Sequence, residues 1–275
     1  MEEIIISPEY KKLIEDIKKL KDEISILYEE KHQLIYHECR NIETEYMSKI
    51  GTLEYKVYEF QCKLLRIKRK IELYQMYINR QEEINEQAIE EKLNVEYKEY
   101  EEKLEQMSEN LRNALNRVNG KVLTEEESEE LKKIYRKLIK KLHPDLNKES
   151  TEKDIELLLQ VTKAYENGDI ETLRNLELLA SEIIEKEKIE INEFEEMKKT
   201  KQKYEGIVKS ILQNIEEIKL KYPYNKKELL EDEKLIEEKK KELNELMENY
   251  KKLYEEMNNV LTMLKGEGKW VILLR

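Results

Sequence analysis

Leucine falls every seven residues at Leu13, Leu20, Leu27 and Leu34, and Tyr10, Ile17 and Ile24 supply a companion stripe. A seven-residue step is two turns of helix, and it can bury its apolar stripe only against another helix. Strands would need a step of two, which is absent here. The register shifts near His37–Gly51 and then resumes on Ile50, Val57, Leu64, Ile71 and Ile78, with Leu53, Phe60, Ile67 and Tyr74 alongside. It fades over Asn79–Gln87 and returns on Leu93, Tyr100, Met107 and Ala114 with Tyr97, Leu104, Leu111 and Val118. Asn119-Gly120 reads as the end of that seam, because glycine best tolerates a left-handed helix cap.

Beyond the centre of the chain the pattern reappears. Phe194, Val208, Ile215 and Tyr222 pair with Met197, Tyr204, Ile211 and Ile218, and Pro223 breaks the helix. Asn225 with Glu228 reads as an N-cap for a further helix, whose Leu229, Ile236, Leu243, Tyr250, Met257 and Leu264 again step by seven. The apolar tail GEGKWVILLR is expected to dock on a helix. At the other end, Ser7-Pro8 reads as a helix start.

Charged residues make up 41% of the 275 residues and aromatics 7%, with six glycines and three prolines. This composition fits long helices and coiled coil, so the expected fold class is all-α: long antiparallel helical hairpins or coiled coil flanking a small central helix pair. The expected division is an arm over residues 1–119, a central segment over 120–180 and a second arm over 181–275. The fresh caps at the breaks favour hairpins, but pairing between two chains as an extended homodimer stays open at this point.

The net charge of −11 argues against non-specific nucleic-acid binding by the whole molecule. No apolar run reaches the span of a membrane helix. The opening MEEIIISPEY has acids where a signal peptide carries basic residues. A soluble cytoplasmic protein is therefore expected. His32, His37, Cys39 and Cys62 offer soft donors, yet positions five apart on a helix diverge, and no second cluster completes a metal site. No phosphate loop, catalytic triad or carboxylate pair stands out, so no enzyme, catalytic residue or cofactor is expected.

Within this acidic chain, Leu131–Leu142 carries six Lys/Arg and no acid. On a helical wheel Lys132, Lys133, Arg136, Lys137, Lys140 and Lys141 cover one half, and Leu131, Ile134, Tyr135, Leu138, Ile139 and Leu142 cover the other. Thr124-x-x-Glu127 is a capping box that starts this helix. Pro144 disfavours helical geometry at His143 and ends it, opening an exposed loop at His143-Pro144-Asp145. Thr151 and Asp154 cap a second helix, whose Ile155, Leu158, Val161, Thr162 and Tyr165 recur at helical spacing and would cover the first. Asn167-Gly168-Asp169 stops it and starts another, with Leu173 and Leu176 inward.

Tyr135-Arg136-Lys137-Leu138, the two lysines Lys140 and Lys141, His143-Pro144-Asp145 and Asn147 resemble helix II and the signature loop of a J domain, the module of the DnaJ family. Val161, Ala164 and Tyr165 resemble the Ile-x-x-Ala-Tyr of its helix III. The resemblance implies a co-chaperone that binds an ATP-loaded DnaK-type heat-shock chaperone and stimulates its ATP hydrolysis. It implies Tyr135, Arg136, Lys137, Lys140, Lys141 and Asn147 as chaperone contacts and His143, Pro144 and Asp145 as the trigger loop. The arms would then take a client or partner. Three departures stand out. Helix I is not recognisable in NGKVLTEEES, which leaves the end of the preceding helix, around Leu111–Val118, as its stand-in. Leu158 replaces a frequent Phe, and Leu146 sits where a basic residue is common. The competing reading is a coiled-coil scaffold or adaptor that keeps a degenerate J-like fold without stimulating a chaperone.

Overall fold

In the computed structural model, residues 8–117, 123–147, 150–183 and 194–273 are described. Among them every regular element is helical, in agreement with the all-α expectation. Both Ser7 and Asn119-Gly120 lie outside the described residues, as do the side chains of the apolar tail. The chain divides into two compact units that cut across the three-part order read from sequence. One joins residues 1–41 to 121–225, and the other joins 42–120 to 226–275.

The first unit holds α1 (Pro8–Gln33), α6 (Glu125–Leu142), α7 (Glu152–Glu166), α8 (Ile170–Ile183) and α9 (Phe194–Leu220). Helices α1 and α9 run parallel. The ring of Tyr10 stacks on Phe194 at 6.3 Å, and Lys201 Nζ meets Asp16 Oδ2 at 2.7 Å nearly two turns further along both helices. Leu27, Ile24, Ile211 and Ile215 from this seam join one continuous core with the buried faces of α6, α7 and α8. A π-helical turn over Leu34–Glu38 follows α1.

The second unit holds α3 (Thr52–Asn79), α4 (Glu86–Glu96), α5 (Lys98–Arg117) and α11 (Glu233–Leu273), with the short α10 (Lys227–Glu231) before it. The chain enters this unit along α2 (Cys39–Tyr46), which a second π turn, Met47–Gly51, joins to α3. Each π turn packs an extra residue into the helix, which is the physical form of the register shift read at His37–Gly51. The break at Asn79–Gln87 is a true hairpin turn: α4 and α5 return antiparallel along α3, with Arg69 on Glu96, Lys103 over Tyr58 and Arg117 on Glu43. Helix α11 runs parallel to α3, shown by Lys226 over Tyr46 at one end and Lys265 over Tyr74 at the other.

The antiparallel hairpin thus belongs to the first arm. The helices of the second arm lay their seams on those of the first, in parallel, because a heptad stripe sets which face is buried and leaves direction open. The cap also lies later than Asn225–Glu228. Asp232 starts α11, its carboxylate accepting from Lys234 N at 2.8 Å, while no side chain caps α10.

Candidate functional site

The basic helix α6 begins as its sequence dictates. Thr124 Oγ1 accepts from Glu127 N at 3.2 Å, and Glu127 accepts from Thr124 N at 2.9 Å. All six residues of the apolar half-wheel are buried. On α7 the buried face is Leu157, Val161, Ala164 and Tyr165, so the expected face is turned: Ile155 is 43% exposed and Leu158 lies at the core's edge. The turn follows from packing on two partners, since α7 must meet α8 as well as α6.

The His143-Pro144-Asp145 loop is tied to the end of α6. His143 takes an extended ψ of 128°, as a residue before proline should. Asp145 N donates to His143 Nδ1 at 3.1 Å, which requires that nitrogen to be unprotonated. The last carbonyls of a helix lack partners within it. Here the Asn147 amide donates to the carbonyls of Lys140, at 3.2 Å, and Lys141, and Ser150 Oγ donates to that of Leu142 at 3.2 Å. Asn147 therefore shapes the loop by capping α6. Leu146, one of the departures from the family pattern, is 1% exposed and belongs to the core, and the Tyr204 hydroxyl of α9 donates to its carbonyl at 3.4 Å.

The helix from the N-terminal region that packs on α6 is α1, nearly a hundred residues upstream of it. The stand-in read around Leu111–Val118 is corrected: Leu111 and Ala114 lie on α5 in the second unit, and Val118 falls outside the described residues. Along α1 and into the π turn that follows it, a stripe separate from the leucine seam, Asp22, Ser25, Glu29, His32 and Tyr36, recurs at steps of three and four, with Tyr28 beside Glu29. Asp22 pairs with Lys140, and Glu29 Oε2 lies 3.9 Å from Arg136 Nε. His32 Nδ1 bonds the Tyr135 hydroxyl. Tyr28 donates to Asp145 and lays its ring 4.2 Å from that of His143.

Tyr135 itself is fully buried, stacked on Tyr165 at 4.0 Å. Of the remaining basic residues, Lys137 pairs with Glu177 of α8 at 2.6 Å, Lys133 is exposed, and Lys132 and Lys141 are half-buried. Pro144 is exposed at the loop tip. The site residues named from sequence therefore lie together on α6 and its loop, and α1 covers part of them. Sequence reasoning misses these covering residues. Their trace is the second three-four stripe, which carries polar and aromatic residues where a solvated face would carry Lys and Glu.

Burial sets the electrostatics. It lowers the pKa of all three histidines: His32 falls to about 4, helped by Lys31 and His143, while His37 and His143 shift down in the same direction. It raises the pKa of Glu29, against the opposing hydrogen bond from Tyr165 and the charges of Arg136 and Lys132. His37 is held edge-on to Tyr165 at 5.2 Å. His32 and His37, two of the soft donors, are thus packed into the helix interface, and among the described residues no three His, Cys, Asp or Glu side chains form a metal-holding group.

A short helix pair with a basic first helix, an Ala-Tyr second helix and a His-Pro-Asp loop defines a J-domain architecture. Residues 121–167 match the family model for the DnaJ domain, and that segment is a J domain. No curated protein and no solved structure matches the chain. No described helix is long and apolar enough to cross a membrane.

Proposed function

We propose that the protein is a co-chaperone that docks a DnaK-type heat-shock chaperone through α6 and the His143-Pro144-Asp145 loop and stimulates its ATP hydrolysis. The observation that carries this reading is the DnaJ-domain match over the segment that holds an intact loop and a basic helix. Arg136, Lys137, Lys140 and Lys141 would orient an acidic partner, a task for which complementary charge is suited. Tyr135 and Asn147 would contribute beside them, and His143, Pro144 and Asp145 would act on the ATPase without performing chemistry of their own. The protein is then no enzyme and needs no cofactor, and it works in the cytoplasm. The helical arms would hold a client or partner protein.

One observation favours a second reading, that of a coiled-coil scaffold with a silent J domain: the loop is engaged by α1 in the folded chain. The deciding experiment is the single-turnover ATPase rate of a DnaK-type chaperone from the same organism, with and without the full-length protein. Stimulation by wild type and its loss in His143→Gln supports the co-chaperone. A rate unchanged both by wild type and by a variant whose loop is freed from α1 overturns it.

A further inference from the structure

We infer that α1 is an intramolecular competitor of the chaperone, covering the docking face of the J domain with carboxylates that stand in for those of the partner. This inference rests on the co-chaperone reading and adds a regulation to the same site.

Three features of the interface point this way. The first is which surface is covered. Besides completing the core through Ile24 and Leu27, helix α1 reaches over the polar edge of α6 and its loop. It lies over Tyr135, Arg136, Lys140, His143 and Asp145, five of the residues proposed to meet the chaperone. The second is chemical mimicry. A basic face that seeks an acidic surface finds Asp22 beside Lys140 and Glu29 beside Arg136. The loop aspartate, which needs donors, finds the Tyr28 hydroxyl at 2.7 Å.

The third is the kind of energy involved. The Lys140–Asp22 pair is 40% and 48% exposed at its side chains, and such pairs contribute only about 0–1 kcal/mol. The Tyr28–Asp145 bond reaches a carboxylate whose side chain is likewise 40% exposed. The contacts over the loop are therefore weak and replaceable, whereas α1 is anchored elsewhere by Ile24 and Leu27 in the core and by its seam with α9. An anchored helix whose contacts to the loop are weakly held can lose the loop without unfolding. A partner that binds only the uncovered form has its apparent affinity reduced by the fraction uncovered.

The proposal separates from a purely structural role of α1 by substitutions that weaken the stripe and leave the anchor. The full-length protein carrying Asp22→Asn with Glu29→Gln, and separately Tyr28→Phe, would be titrated into the ATP-loaded DnaK-type chaperone, reading the concentration for half-maximal ATPase stimulation. Amide hydrogen exchange of residues 145–147 would be read on the same samples. The expected result is faster loop exchange together with half-maximal stimulation at a concentration lower by about five-fold or more, the lower range of coupling between linked sites. By reciprocity, the chaperone should speed exchange in residues 22–36 of the wild-type protein.

Faster loop exchange with stimulation curves that superpose on wild type overturns the competition while leaving the co-chaperone reading intact. Unchanged loop exchange in both variants also overturns it, because these contacts then do not hold the loop. Absence of stimulation by wild type and by variants whose loop is demonstrably freed overturns the co-chaperone reading itself, and the competition with it. Tyr28→Phe removes one oxygen and keeps the ring, so it guards against a result that reflects misfolding of the double variant.

Discussion

The Tyr28 hydroxyl donates to Asp145 Oδ2 at 2.7 Å, bridging residues 117 positions apart in the chain. The same ring lies 4.2 Å from that of His143, so one side chain of α1 holds both ends of the His-Pro-Asp loop. These two contacts separate cleanly by substitution. Tyr28→Phe removes the hydrogen bond and keeps the ring. A bond to a charged acceptor contributes about 1.5–3 kcal/mol when buried, and the partial exposure of Asp145 brings the expected cost nearer to 1 kcal/mol. Tyr28→Ala removes the ring contact too, adding about 1 kcal/mol. Amide exchange protection along α6 measures both, and equal effects of the two substitutions would contradict the division.

Acid should loosen the first unit at higher pH than carboxylate titration alone would predict. In the unfolded chain a histidine binds its proton near pH 6.5, whereas in the fold His32 does so only near 4, and His37 and His143 are shifted the same way. Below pH 6.5 the unfolded state therefore holds more protons, and stability falls as pH drops through this window. Lys31, Arg40 and Lys132 face these rings and add to the shift, while Asp145 opposes it at His143. Glu29, whose pKa is raised, works against the loss by taking up a proton early in the fold. His32 alone accounts for a loss of at most about 3.5 kcal/mol, since each tenfold change in proton affinity is worth roughly 1.4 kcal/mol. His32→Gln should flatten the stability curve between pH 6.5 and 4, read by urea unfolding at each pH. A slope as steep as wild type would sink the assignment.

Glu29 is a charged residue buried in the core, and its carboxylate is sustained by the Tyr165 hydroxyl, 3.1 Å from Oε1. Gln33 lies 3.0 Å from the same hydroxyl. Tyr165→Phe should cost about 1–3 kcal/mol, because it leaves a buried acceptor without its donor. Adding Glu29→Gln to that variant should recover part of the loss, since the residue left behind no longer carries a charge. A double-mutant cycle on thermal unfolding checks this, and additive losses would show that the two groups do not depend on each other.

Which elements the sequence makes readable follows from the range of the forces that form them. Capping at Thr124–Glu127 and Thr151–Asp154, the six buried residues of α6 and the hairpin turn after α3 depend on neighbours a few residues away, so each is legible. The direction of α9 against α1 and of α11 against α3 is not, because a leucine stripe packs equally on a parallel or antiparallel partner. Nor is the cover over the face proposed to meet the chaperone. Asp22, Tyr28, Glu29 and His32 take their meaning only from α6 and its loop, about a hundred residues away or more, and a polar stripe on a helix ordinarily means water. Leu146 looks like a departure at a solvent-facing loop, and becomes intelligible once α9 is found beside it.

Two helix ends of this protein use the same backbone device with different residues, and this yields the final prediction. After α7, Gly168 takes φ +66°, with Asp169 N bonded to Ala164 O at 2.9 Å and Gly168 N to Tyr165 O at 3.1 Å. After α3, Gln81 takes φ +55°, with Glu82 N bonded to Tyr77 O and Gln81 N to Ile78 O, both at 3.0 Å. Both are left-handed helix terminations, a conformation glycine adopts freely and other residues at a cost of about 1–2 kcal/mol. Gly168→Ala should destabilise by about that amount or somewhat more, since its new Cβ would also lie 3.3 Å from Leu123 Cδ1. Gln81→Gly should stabilise by up to about 1 kcal/mol, the relief of strain being partly offset by the greater freedom of glycine in the unfolded chain. The two shifts should have opposite signs in thermal melts, with amide exchange reporting Gly168→Ala in α7 and Gln81→Gly in α3. A destabilised Gln81→Gly would mean that the glutamine side chain contributes more at this turn than its backbone costs.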